Sequence, residues 1–167
     1  MLKKHCNGSR ERVKCAIITV SDTRVVETDA SGKLIHELLE KVQHQVCHYE
    51  IIPDDKHKIL QTVEVLLNNG SIEAIILNGG TGIAKRDVTI EAISPLLEKE
   101  LPGFGELFRY LSYEEDVGSA SLLSRAIAGV ANQTVIFSLP GSTGAVKLAM
   151  EKLILPELGH IVSELNK

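Results

Sequence analysis

IEAIILNGGTGIAKRDVTIEA, running from Ile72 to Ala92, decides the fold and points to the site. An apolar run, Ile75-Ile76-Leu77, stops at Asn78-Gly79-Gly80-Thr81-Gly82. The charged triplet Lys85-Arg86-Asp87 then leads into a helix-like stretch. A strand, a glycine turn and a helix start, in that order, can hold an anion. Glycines let the chain turn tightly and let a ligand approach the backbone. Free N–H groups at a helix start favour negative charge. Thr81 adds a hydroxyl donor, and Arg86 a forked cation that suits phosphate. Asp87 is the discordant member. A carboxylate is repelled by phosphate unless a metal ion lies between them, so the pattern implies Mg²⁺. The loop is neither a Walker A sequence nor G-x-G-x-x-G.

Working outward, apolar runs alternate with amphipathic ones. Val13–Val20 reads as a buried strand. In Ser31–Gln43, Leu34, Ile35, Leu38, Leu39 and Val42 recur at helical spacing, with Ser31 as N-cap. Val46–Ile52 reads as a strand stopped by Pro53. Asp54 or Asp55 caps the next helix, whose stripe is Ile59, Leu60, Val63, Leu66 and Leu67 and whose end is Asn68-Asn69-Gly70. After the strand Ile72–Leu77 come predicted helices at Val88–Glu98 and Ser119–Ala128. Between these, Gly103–Asp116 carries Phe104, Leu107, Phe108, Leu111 and Tyr113, a stripe that serves either the core or an oligomer contact. Thr134–Leu139 is a further strand, Pro140–Gly144 a turn, and Ala145–Leu155 a helix halted by Pro156 before a last short helix near Leu165. This alternation predicts an α/β domain with a mostly parallel sheet. Ligands of such sheets sit beyond the carboxyl ends of the strands. The polar loops Thr19–Thr23, Pro53–Asp55, Asn78–Asp87 and Pro140–Gly144 all fall there.

Composition narrows the class. The 167 residues are 44% hydrophobic but only 4% aromatic, with no Trp, so the core is aliphatic. A chain of this length buries roughly 70% of its unfolded surface, enough for one core. We expect a flexible polar tail at residues 1–12 and a single domain over 13–167. A net charge of −4 argues against a broad nucleic-acid footprint. No apolar run reaches the length of a membrane span, and the polar start MLKKHCNGSRERVK lacks the apolar segment of a secretory signal. Cys6, Cys15 and Cys47 form no C-x-x-C pair and read as free thiols of a reducing cytoplasm. His44 and His48 are four apart, but a predicted helix end separates them, which disfavours zinc.

Several residues have two readings on spacing alone. Asp54 and Asp55 compete for one cap, and the other is then free for a metal. Asp87 either caps the following helix or faces a ligand. Arg125, beside Ser124, is either a surface cation at a helix end or a charge facing an anion. Pro140-Gly141-Ser142 is either a plain turn or a second anion nest.

The motifs together resemble a known family. TVSDT (Thr19–Thr23), DASG (Asp29–Gly32), PDD (Pro53–Asp55), NGGTGIAKRDVTIEA (Asn78–Ala92), LSRAIAG (Leu123–Gly129) and LPGSTGAV (Leu139–Val146) look like molybdenum-cofactor biosynthesis proteins of the MoaB/Mog type. Leu101–Thr134 looks closer to the MoaB branch. The resemblance implies a three-layer α/β/α sandwich, Rossmann-like, with a mostly parallel central sheet. It implies adenylylation of molybdopterin by Mg-ATP, with the essential acids on Asp54 and Asp87, both as metal ligands. Ser21, Asp22, Gly79, Gly80, Thr81, Gly82, Arg86, Ser124, Arg125, Pro140, Gly141 and Ser142 then bind substrate. The cofactor is Mg²⁺, the ligands are molybdopterin and ATP, and the assembly is a homo-oligomer, trimer or hexamer. The alternative is a non-catalytic molybdopterin-binding or scaffold protein of the same pathway. The intact Asp54, Arg86 and Asp87 favour the enzyme.

Overall fold

Four parallel strands, three of them buried on both faces and one half-buried at the sheet edge, form the centre of the protein. They are β1 (Lys14–Val20), β2 (Gln45–Ile52), β3 (Ala74–Asn78) and β6 (Thr134–Leu139), all parallel. With β4 (Lys99–Glu100) and β5 (Ile127–Ala131) they make a six-stranded sheet in the order β2-β1-β3-β6-β5-β4. Only β5 opposes the common direction, pairing antiparallel with β6 and β4. The computed structural model describes residues 11–167. Most of the tail expected at residues 1–12, and Cys6, lie outside the described residues.

Side-chain alternation divides the sheet into two faces. Cys15 and Ile17 of β1 pack with Ile76, Val135 and Phe137 beneath α1 (Ala30–Lys41), α4 (Pro102–Glu115), α5 (Thr143–Ala149) and α6 (Leu155–Leu165). Ala16, Ile18 and Val20 pack with Ile75, Leu77 and Ile136 beneath α2 (Lys56–Asn68) and α3 (Thr89–Ile93). Covering both faces requires the near-continuous apolar strands seen in the sequence. The result is the expected three-layer α/β/α sandwich.

Four local expectations are corrected. The N-cap of α1 is Asp29, whose side chain accepts from Gly32 N, while Ser31 lies buried inside the helix. The helix expected over Val88–Glu98 ends at Ile93, because Pro95 lacks an N–H to continue it. Ser119–Ala128 is not a helix. A 3₁₀ turn at Gly118–Leu123 gives way to β5, which returns into β6 through Asn132-Gln133. Both turn residues have positive φ, 46° and 61°, as a two-residue hairpin with right-handed twist demands. Finally, Pro156 does not stop a helix. A π turn at Met150–Ile154 takes up the discontinuity and α5 runs on into α6.

The aromatic stripe of α4 splits. Phe104 and Phe108 are buried against Phe137, whereas Leu107 is 53% exposed. The two histidines are otherwise engaged: His44 Nδ1 accepts from Val13 N, and His48 meets Glu50. Among the described cysteines, Cys15 is a buried free thiol, pushed up to about 12 by burial first, and Cys47 an exposed one.

Candidate functional site

Sheet register sets the site. Val20 is level with Ile52, Thr19 with Asn78, and Asn78 with Leu139. The loops that begin at Ser21, Pro53, Gly79 and Pro140 therefore leave the sheet at one height. Because β5 runs the other way, its start at Ile127 lies beside Ser138. That brings Ser124 and Arg125 to the same edge. The loops enclose a cleft of about 370 Å³. Of the residues expected there, Ser21, Asp54, Gly79, Gly80, Thr81, Gly82, Arg86, Asp87, Ser124, Pro140 and Gly141 line it. Asp22, Arg125 and Ser142 do not line it. Asp22 Oδ1 accepts from Asp54 N at 3.0 Å, and Ser142 caps α5 by accepting from Ala145 N.

The glycine loop is held by its carbonyls. Gly79 O accepts from Thr89 Oγ1 at 2.9 Å and Gly80 O from Thr89 N at 3.0 Å. Thr81 O accepts from Arg125 Nε at 2.9 Å and Gly82 O from Arg125 Nη2 at 2.8 Å. The amides divide differently. Gly79 N donates to Leu139 O at 3.0 Å, so it is not the ligand donor expected from the sequence. The N–H groups of Gly80, Thr81 and Gly82 find no acceptor among the described residues.

Gly79 and Gly80 sit at φ 102° and 65°, where a Cβ is strained. A Cβ on Gly79 would collide with the Val20 carbonyl, and one on Gly80 with Thr89 Oγ1 and Asp54 Oδ1. Gly80→Val is therefore expected to abolish binding of a phosphate-bearing ligand in the cleft. It also costs on the order of 1–3 kcal/mol of stability through strain. Calorimetric titration of the folded variant checks this, and unchanged affinity would make the loop a plain turn.

The two candidate acids escape their capping alternatives. Asp55 caps α2, accepting from Lys58 N at 2.8 Å, which leaves Asp54 to the cleft. Asp87 does not cap α3, whose cap position is Val88 with no side-chain bond. Instead Asp87 closes its own loop: Oδ2 accepts from Ala84 N at 2.8 Å and its N–H donates to Ala84 O at 2.9 Å. Burial, then the charges of Asp22 and Asp87, push the Asp54 carboxyl above the usual range, only partly offset by Arg86. Mutual repulsion of this kind favours a cation at the mouth of the cleft.

Among the described residues, no group of three or more His, Cys, Asp or Glu side chains forms a complete metal cage. Mg²⁺ does not require one. It takes one or two carboxylates and completes its shell from water and substrate phosphates. Asp54 and Asp87 fit that donor set.

The sequence reading missed Arg24 and its support. Arg24 lines the cleft and donates from Nη2 to Gly141 O at 2.9 Å. Ser31 Oγ donates to the same carbonyl at 2.7 Å. Behind Arg24, Asp29 is fully buried and accepts from Thr19 Oγ1 at 2.5 Å, Tyr49 OH at 2.6 Å and Gly32 N at 3.0 Å. Burial alone would raise this carboxyl. The hydrogen bonds from Thr19, Tyr49 and Gly32, with the Arg24 charge, outweigh burial and hold it below the usual range. The signal available was position: Arg24 directly follows TVSDT at the end of the first strand.

An open, mostly parallel sheet with free loop amides and paired aspartates at its carboxyl edge defines an α/β protein with a cleft suited to a phosphate-bearing ligand. Residues 16–160 match the family described as "Probable molybdopterin binding domain". A Bacillus cereus relative named molybdenum cofactor biosynthesis protein B is 56% identical over 164 residues, covering 98% of this chain and 97% of its own. The crystal structure of a molybdenum cofactor biosynthesis protein B is 57% identical, with TM-score 0.92, covering 95% of this chain and 98% of that one. A MogA structure stands further off, at 29% identity and TM-score 0.82, covering 91% of this chain and 99% of that one. The chain belongs to the MoaB/Mog family of molybdenum cofactor biosynthesis proteins and lies nearer its MoaB members. Among the described residues no helix is long and apolar enough to cross a membrane.

Proposed function

We propose that the protein adenylylates molybdopterin. The terminal phosphate oxygen of the pterin attacks the α-phosphorus of ATP. The new P–O bond forms as the bond to the bridging oxygen breaks, and pyrophosphate leaves with that electron pair. The observation that carries this reading is the pairing of Asp54 and Asp87, neither a helix cap, with the three unpartnered amides of Gly80–Gly82 in one cleft. Phosphoryl-type transfer depends on positioning and charge neutralisation more than on covalent help. The loop amides bind phosphate oxygens, and Arg86, with no hydrogen-bond or ion-pair partner among the described residues, offsets their charge. Asp54 and Asp87 hold Mg²⁺, which when bound neutralises phosphate charge and orients the triphosphate.

The assay is direct: the purified protein, molybdopterin, ATP and Mg²⁺ yield the AMP adduct and pyrophosphate. Tight pterin binding without ATP consumption would replace the enzyme by a pterin-binding scaffold.

The protein is further proposed to work as a homo-oligomer, a trimer or a hexamer built from trimers. Support comes from an apolar surface on α4 and the following 3₁₀ turn. There Leu107, Tyr110, Tyr113 and Leu123 are more than half exposed and Leu122 is 84% exposed. Soluble assemblies are commonly closed and symmetric. Light scattering is expected to show a multiple of 18.2 kDa that Leu122→Glu reduces. A stable monomer at micromolar concentration would overturn this.

A further inference from the structure

We propose that Arg125 and Glu91 form a strut that shapes the glycine loop for phosphate, with Arg125 acting as a positioning residue and not as a ligand-binding cation. The proposal rests on the phosphate reading of the cleft.

Three of the guanidinium's nitrogens are committed away from the ligand. Nε and Nη2 reach two consecutive carbonyls, Thr81 O and Gly82 O, at 2.9 and 2.8 Å. Nη1 meets Glu91 Oε1 at 2.5 Å, and Nη2 also approaches Glu91 Oε2 at 3.3 Å. Arg125 does not line the cleft, whereas its neighbour Ser124 does.

A planar fork of fixed geometry can hold two adjacent carbonyls and a carboxylate at once. A peptide group whose C=O is turned outward presents its N–H on the opposite side. Thr89 holds Gly79 O and Gly80 O, so all four carbonyls of the loop have donors from outside. Within those peptide groups Thr89 sets the N–H of Gly80 and Thr81 and Arg125 sets those of Gly82 and Ile83, none of which finds an acceptor among the described residues. Preorganised donors of this type bind an anion without reorganising at the moment of binding. Glu91 belongs to the device because it fixes the guanidinium. The Arg125 charge and hydrogen bond in turn hold the Glu91 carboxyl below its usual range.

The test uses inorganic pyrophosphate as the probe, titrated calorimetrically into the full-length protein. Hydrogen exchange of the Gly79–Ile83 segment is measured in parallel. Arg125→Ala and Glu91→Ala are each expected to weaken pyrophosphate binding by about tenfold or more and to speed exchange at Gly82 and Ile83. The double variant should lose little beyond the stronger single one, because both act through one strut. Arg125→Lys should behave like Arg125→Ala, since an ammonium cannot span both carbonyls and the carboxylate.

A tighter or unchanged affinity in Glu91→Ala would show that Glu91 merely competes for a ligand-facing cation, and would overturn the proposal. So would variants that melt earlier yet keep wild-type affinity and exchange. If the unaltered protein binds no pyrophosphate while exchange in the variants still accelerates, the phosphate reading of the cleft fails and the strut stands as a loop-holding device.

Discussion

Asp54→Asn is expected to cut the proposed adenylylation by a factor on the order of 10²–10⁴ while raising the melting temperature of the metal-free protein. The two effects have one cause. Asp54 faces Asp22 and Asp87 from a partly buried position, and its carboxyl is held above the usual range by burial first and then by those charges. A carboxyl whose folded value exceeds its unfolded value takes up protons on folding, so its ionised form opposes the fold. That opposition is absent below the ordinary value of 3.8 and grows as pH rises through the raised folded value. The melting-temperature gap between Asp54→Asn and the unaltered protein should therefore vanish in acid and be full at neutral pH. Asparagine keeps the shape but gives up the charge proposed to hold a divalent cation, so turnover falls while the metal-free fold gains. Activity assays and calorimetry across pH check both halves. A lower melting temperature in the variant would make Asp54 a structural residue, and near-normal turnover would remove it from the metal site. Asp87→Ala should lose activity comparably but also loosen its loop, because Asp87 Oδ2 holds Ala84 N.

The contrast shows what could be read from the chain. The strand–glycine–helix order at Ile72–Ala92 was sufficient to place the loop, because strand period and glycine punctuation are local properties. Which aspartate caps α2 was not legible. Asp54 and Asp55 are equally good caps, and the choice depends on how the chain leaves β2 beside Asp22. The strand at Ile127–Ala131 was hidden for a different reason. Its small residues carry little β signal, and its hairpin turn uses Gln133 at positive φ, where glycine is the usual marker. Misreading that strand as helix also misread Arg125, which as a helix-end cation would face solvent or ligand. Set in the segment that leads into β5, it reaches back across the sheet edge to the loop after β3. Arg24 and Asp29 escaped because their partners, Gly141 and Tyr49, are contributed by distant segments. No periodicity reports such contacts.

Asp29→Ala is the second large effect, and its sign is opposite to that of Asp54. Asp29 has no exposed side-chain surface, accepts from two hydroxyls and the first-turn amide of α1, and forms an ion pair with the Arg24 guanidinium. Removing it strips the helix cap, which alone costs about 1 kcal/mol. It also leaves Arg24, at 3.6 Å from its partner, without a counter-charge. Arg24 keeps 32% of its side chain in solvent, so its charge is not stranded, and the expected loss at neutral pH, from the cap and the two hydroxyls left without an acceptor, is about 2–4 kcal/mol. The linkage follows from the depressed carboxyl. Its contribution is present above the ordinary value of 3.8 and is lost as pH falls through the lower folded value. Denaturant titrations should thus show a large gap between Asp29→Ala and the unaltered protein at pH 7, narrowing in strong acid. Tyr49→Phe, which removes one donor and leaves the charge and cap in place, should cost only about 1 kcal/mol. The site responds too. Arg24 released from Asp29 no longer holds Gly141 O against the cleft, so phosphate affinity should fall in Asp29→Ala and stay near normal in Tyr49→Phe. A loss below about 1 kcal/mol in Asp29→Ala would mean that the network merely fills space. Full ligand affinity in that variant would detach the network from the site, leaving the Pro140–Ser142 loop to be held by Ser31 alone.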